Sequence, residues 1–119
     1  MERLEGKVAI VTGGARGMGE STVRLFVEHG ARVVIGDVLE EEGRALEKEL
    51  GGSACFIPMD VSSPEAWERA VARALEFGPY NVLVNNAAIL LLKSVSDTTP
   101  EEYMRVVQVN QLGTFLGVQ

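Results

Sequence analysis

The chain alternates between short apolar runs and longer stretches in which apolar residues recur every three or four positions. The short runs cover residues 7–11, 31–36, 53–58 and 81–84. They are nearly continuous in Val, Ile, Ala and Phe rather than alternating, the pattern of strands buried on both faces of a parallel sheet. The longer stretches predict helices. The first covers 17–29, with Val23, Phe26 and Val27 inward and Gly30 as the stop. The second covers 39–50, with Leu39, Leu46 and Leu50 on one face and Gly51-Gly52 closing it. Ser62 and Glu65 have capping-box spacing, with Pro64 in the first turn, and open a third helix. It carries Trp67, Val71, Ala74 and Leu75 toward the sheet and stops at Gly78-Pro79. Thr99-Pro100-Glu101-Glu102 is a second capping box. The helix after it, over 103–119, places Val107, Asn110 and Thr114 on one stripe. Strand followed by helix, four times over, implies right-handed crossovers and an α/β domain with a parallel sheet covered on both faces.

In such a sheet, ligands bind beyond the carboxyl ends of the strands. Every predicted strand ends in something polar or glycine-rich. The first runs into Thr12-Gly13-Gly14-Ala15-Arg16-Gly17-Met18-Gly19, the second into Asp37, the third into Asp60 and the fourth into Asn85-Asn86. Glycines allow close approach of backbone to ligand, and a helix that starts at such a turn points free N–H groups at it, which suits a pyrophosphate. Asp37 stands 18 positions beyond Gly19, where a carboxylate can accept from the ribose hydroxyls of an adenosine. The same charge repels a 2′-phosphate and favours NAD over NADP. Arg16 pulls the other way, since a guanidinium can pair with a 2′-phosphate. The alternative role of Asp37 is a helix N-cap, and Asp60 has a cap or turn role as its rival to accepting from an adenine amine. Val61 would lie against the adenine ring. Asn85 and Asn86 can lock neighbouring strand ends, with the 86–88 backbone beneath the ribose; a purely structural turn is the rival reading for Asn85.

Composition removes other classes. A net charge of -6 argues against nucleic acid and against an anionic membrane surface as partners. The longest apolar block, 87–92, falls well short of a membrane span, and residues 1–5 lack the apolar core of a signal peptide, so a cytoplasmic protein is expected. A single cysteine, Cys55, reads as a small buried strand residue. With one histidine besides and no clustered carboxylates, no metal is expected. His29 reads as a favourable charge at a helix end, Trp67 as a core anchor.

Together these residues resemble the short-chain dehydrogenase/reductase family. The matching motifs are Thr12-Gly-x-x-x-Gly17-x-Gly19, Asp37, Asp60-Val61, Asn85-Asn86-Ala87-Ala88 and Val109-Asn110-x-x-Gly113, in family order across the whole chain. The glycine turn and the Asp37-Val38 pair look most like NAD-dependent hydroxysteroid dehydrogenases. The resemblance implies a Rossmann-type doubly wound sheet and hydride transfer between NAD(H) and a secondary alcohol or ketone. It implies that Thr12 and Asn85 hold strand ends, that Gly13, Gly17 and Met18 line the pyrophosphate, and that Asn110 holds a water in a catalytic proton relay. Ala88 stands where the family usually has glycine, which adds a methyl beside the cofactor channel.

The family's catalytic Ser and Tyr-x-x-x-Lys are not matched. Four residues beyond Tyr80 and Tyr103 stand Val84 and Val107. The reading is that 1–119 is the N-terminal dinucleotide-binding part of a single Rossmann-fold domain, inactive by itself, from an enzyme that is oligomeric (dimer or tetramer) when complete. The alternative is a catalytically inactive NAD-binding module. Ile89-Leu90-Leu91-Leu92 follows the asparagine turn and suits an apolar substrate, unless it packs under the loop or at a subunit contact.

Overall fold

The computed structural model describes residues 3–90 and 92–119. Strands β1 (Val8–Thr12), β2 (Arg32–Asp37), β3 (Ala54–Pro58) and β4 (Val82–Val84) form one parallel sheet in the order β3-β2-β1-β4. Helices α1 (Gly17–Glu28), α2 (Glu40–Leu50) and α3 (Pro64–Phe77) form the crossovers. The sheet grows outward from β1 through β2 to β3, then the chain returns to place β4 on the other side of β1. That reversal opens a crevice beyond the strand ends, between β1 and β4.

Each strand alternates between two cores, which is why none of them needs a polar face. Val8, Ile10, Val34 and Cys55 point to the side of α3, with Trp67, Ala70 and Ala74. Ala9, Val11, Val33, Ile35, Ala54 and Phe56 point to the side of α1 and α2, with Val23 and Leu46. Register keeps the strand ends level: Thr12 is opposite Gly36, and Asp37 is opposite Pro58. The outer strand β3 has its Phe56 N–H taken by the Glu47 carboxylate of α2 at 2.7 Å, which blunts one bonding position on an open sheet edge.

Several local expectations shift. Residues 51–53 form a 3₁₀ turn, so β3 starts at Ala54. Asn81 is not in β4; its Oδ1 accepts the Val8 N–H at 2.7 Å and closes the start of β1. Ser63, rather than Ser62, caps α3 and accepts from the Ala66 N–H at 3.3 Å, because the Ser62 hydroxyl is taken by Asp60. Leu75 faces solvent at 58% exposure, on the side of α3 away from the sheet. Trp67 is buried and donates its indole N–H to the Val61 carbonyl at 2.8 Å, the core anchor expected of it.

The final helix is not continuous. α4 (Pro100–Val107) passes into a π turn, Gln108–Leu112, and then into α5 (Gly113–Val118). Thr99 and Glu102 close a complete capping box at its start, with bonds of 3.0 and 3.1 Å. Thr114 is exposed; the residues carried to the sheet side are Val109 and Gly113. No helix among the described residues is long and apolar enough to cross a membrane.

Candidate dinucleotide site

The glycine turn is held from below by one hydroxyl. Thr12 is 1% exposed; its Oγ1 donates to the Val84 carbonyl at 3.3 Å and accepts the N–H groups of Asn86 and Ala87, both at 3.0 Å. Asn86 returns the link, donating Nδ2–H to the Gly13 carbonyl at 3.1 Å. The ends of β1 and β4 are thus tied into one floor. Asn85 takes no part in this; its Oδ1 lies against Gly117. Asn86 performs the locking that was expected of both.

The glycines have separate reasons. Gly13 has φ +65° and sits against the Asn86 side chain and the Ala87 backbone. A Cβ on Gly19 would run into the Gly13 carbonyl and the Asn86 amide, so glycine there lets α1 pack onto the end of β1. Gly17 has φ +61° and open space where a Cβ would stand. Its backbone is bare toward the crevice, the surface a phosphate can approach.

Asp37, 9% exposed, crosses to the same turn. Oδ2 accepts the Ala15 N–H at 3.0 Å and Oδ1 accepts the Leu39 N–H at 3.1 Å. It is not the cap of α2, whose N-cap is Leu39. Each carboxylate oxygen accepts about two hydrogen bonds, so each keeps one free.

These elements enclose a cleft of about 310 Å³. Of the residues singled out in the sequence, Gly13, Arg16, Gly17, Asp37, Val38, Asp60, Val61, Asn86, Ala87 and Ala88 border it. Thr12 and Gly19 support it from behind. Met18 does not border it and is 81% exposed on the first turn of α1. Arg16 is exposed and forms no ion pair among the described residues, whereas Asp37 is fixed by two backbone donors.

Ile89, expected to follow the asparagine turn toward the substrate, and Val109 of the Val109-Asn110 motif also border the cleft, whereas sequence reasoning missed Gly36, Leu39, Met59 and Arg105 in the wall. Met59 packs over Gly36, where any side chain would collide with its sulfur. Arg105 reaches across from α4 and pairs with Asp60, Nη2 to Oδ2 at 3.0 Å. Asp60 Oδ1 accepts both the backbone N–H (2.9 Å) and the hydroxyl (2.6 Å) of Ser62. Partial burial raises the Asp60 pKa, but the Ser62 bonds and Arg105 outweigh it and hold the carboxyl below its ordinary range.

Asn110 stands in the π turn and grips the loop after β4 with both ends of its amide. Oδ1 accepts the Ile89 N–H and Nδ2 donates to the Ile89 carbonyl, each at 2.9 Å. A π turn inside a helix commonly marks a functional site. Beyond Ile89 the chain exposes Leu90 and Leu92 at 82% and 86%; Leu91 of that run lies outside the described residues.

A parallel doubly wound sheet, a glycine turn at its first strand end and a carboxylate at its second define a Rossmann-type dinucleotide-binding fold. The short chain dehydrogenase family model matches residues 7–119, and the chain belongs to that family. It is 49% identical to a 3-alpha-(or 20-beta)-hydroxysteroid dehydrogenase of Mycobacterium tuberculosis, over 98% of this chain and 45% of that protein. It is 41% identical to trans-4-hydroxycyclohexanecarboxylate dehydrogenase of Sinomonas cyclohexanicum (99% and 49%) and 44% identical to zerumbone synthase of Zingiber zerumbet (98% and 46%). Among solved structures, 3-ketoacyl-(acyl-carrier-protein) reductase of Brucella melitensis, complexed with NADH, superimposes with a TM-score of 0.90 at 35% identity, covering 97% of this chain and 48% of that one. The chain spans under half the length of these relatives.

Proposed function

We propose that residues 1–119 are the N-terminal dinucleotide-binding part of an NAD-dependent oxidoreductase that moves hydride between nicotinamide and a secondary alcohol or ketone. The observation that carries the reading is the Asp37 carboxylate, oriented by Ala15 and Leu39, beside the bare backbone of Gly17. Two free acceptor positions on Asp37 match the two hydroxyls of an adenosine ribose. A 2′-phosphate in that place would meet a carboxylate at close range, which favours NAD over NADP.

The Gly13–Gly17 backbone and the start of α1 would hold the pyrophosphate, and the 86–88 backbone would pass beneath the nicotinamide ribose. When bound, the nicotinamide supplies the hydride chemistry. Asp60 would accept from the adenine amine, with Val61 against the ring. Asn110, by gripping Ile89, would fix the loop between cofactor and substrate and hold one position of a proton relay.

The exposed Leu90 and Leu92 after Ile89 support an apolar alcohol or ketone, of the hydroxysteroid kind named for the mycobacterial relative. The outer face of α4 and α5 exposes Tyr103, Met104, Phe115 and Val118, which supports a homo-oligomer built on that face. Cys55, a buried unpaired thiol, suits a cytoplasmic setting.

The test is reduction of NAD by a cyclic secondary alcohol, catalysed by the full-length enzyme that carries residues 1–119, since 1–119 by themselves are expected to bind NAD without turnover. Formation of NADH with the matching ketone supports the reading. Binding of NAD by the full-length enzyme without turnover over a panel of hydroxysteroids and cycloalkanols would contradict the enzyme part of it and leave the cofactor part standing.

A further inference from the structure

The helix that passes through the π turn meets the rest of the molecule along residues spaced by four. Arg105 pairs with Asp60, Val109 is buried in the cluster that contains Val61, Gly113 packs on Val61, and Gly117 packs on Trp67. Each glycine is needed for that approach: a Cβ on Gly113 would stand 2.5 Å from a Val61 methyl, and one on Gly117 would stand 2.7 Å from the Trp67 ring. A four-residue step overshoots one α-helical turn by about 40°, so such a stripe drifts around a regular helix. The π turn at 108–112 lengthens one turn and keeps the stripe on one side. The same turn presents Asn110 to Ile89 on the neighbouring side.

The polar end of this stripe falls inside the cleft. The hydrogen-bond accounting at Asp60 is closed except for one position. Oδ1 already accepts two bonds from Ser62; Oδ2 accepts one from Arg105 and keeps one lone pair. Arg105 also reaches the Ser62 hydroxyl at 3.4 Å, so a single guanidinium fixes both partners of the turn. Its charge offsets the carboxylate, so a neutral ring beside Asp60 does not sit against an uncompensated anion.

We infer that Arg105 is a positioning residue for the adenine end of the dinucleotide: held by α4, it turns the last free lone pair of Asp60 into the cleft as a single acceptor that selects an exocyclic amine. This rests on the dinucleotide reading above, and it assigns to α4 a part in base recognition in addition to carrying Asn110. A planar two-partner fork is required, which a lysine ammonium does not reproduce.

The experiment compares NAD with nicotinamide hypoxanthine dinucleotide, in which a carbonyl replaces the amine, by titration calorimetry on the protein and on Arg105→Met, Asp60→Ala and the double variant. The expected wild-type result is tighter binding of NAD. Arg105→Met should lower the NAD-to-hypoxanthine affinity ratio about ten-fold, the worth of one hydrogen bond to a charged group. Affinity for the hypoxanthine dinucleotide should hold, which certifies that the cleft is folded. Asp60→Ala should lower the ratio equally, and the double variant no further, because both act on one contact. An unchanged or raised ratio in Arg105→Met, or a further fall in the double variant, would overturn the role of Arg105. Equal wild-type binding of both dinucleotides would overturn it while leaving the cofactor site in place. Binding of neither by the wild type would sink the dinucleotide reading itself.

Discussion

Thr12 and Asn86, 74 residues apart in the chain, are joined by a 3.0 Å hydrogen bond from the Asn86 N–H to the Thr12 hydroxyl. That oxygen also accepts from Ala87, so one buried side chain sets the height of the turn after β4 relative to the glycine turn after β1. Thr12→Val keeps the shape and deletes the acceptor, leaving two N–H groups under-satisfied. Denaturant unfolding should show a loss of about 2 kcal/mol, with Thr12→Ser losing much less. Equal losses in the two variants would place the effect in packing instead.

Gly17 and Gly19 lie two residues apart and should fail differently. Gly19→Ala drives a methyl into the Gly13 carbonyl and the Asn86 amide, so its principal effect is on folding stability. Gly17→Ala meets no protein atom; it costs about 1–2 kcal/mol for the left-handed backbone and places a methyl where a phosphate would approach. Dinucleotide affinity should therefore fall far more than stability in Gly17→Ala. Thermal unfolding and titration calorimetry on the two variants separate these outcomes.

Burial pushes the Cys55 thiol up to about 11 from an ordinary value of 9.0. The folded state then holds the proton while the unfolded state has lost it, so unfolding is increasingly favoured as pH rises from 9 toward 11. Below 9 both states carry the proton and no slope arises from this group. Cys55→Ala should flatten that part of the stability–pH curve. At neutral pH a thiol reagent should label Cys55 only at the rate of unfolding.

Much of this site was legible in the sequence because its parts sit at strand ends. A parallel strand fixes where its last residue goes, so Gly13, Asp37, Asp60 and Asn86 could be brought to one edge from periodicity alone. Arg105 and Met59 could not. Arg105 joins the wall only because α4 crosses behind β3's turn, a long-range placement that no local spacing encodes. The exchange of Ser62 for Ser63 as the cap of α3 has the same origin: a neighbouring carboxylate, Asp60, competes for the hydroxyl. Asn110 was visible as a polar residue at a core-facing helix position. Its actual partner, the Ile89 backbone, depends on a π turn that an α-helical period does not anticipate.

The central claim is that the crevice beyond the strand ends seats an NAD adenosine ribose on Asp37. The most direct test is the affinity of the protein and of Asp37→Ala for NAD and NADP by titration calorimetry. The account predicts that the wild type binds NAD more tightly than NADP, and that the substitution weakens NAD by about ten-fold or more while NADP weakens less or gains. Unchanged affinity for both dinucleotides in Asp37→Ala, or no binding of either by the wild type, would contradict it.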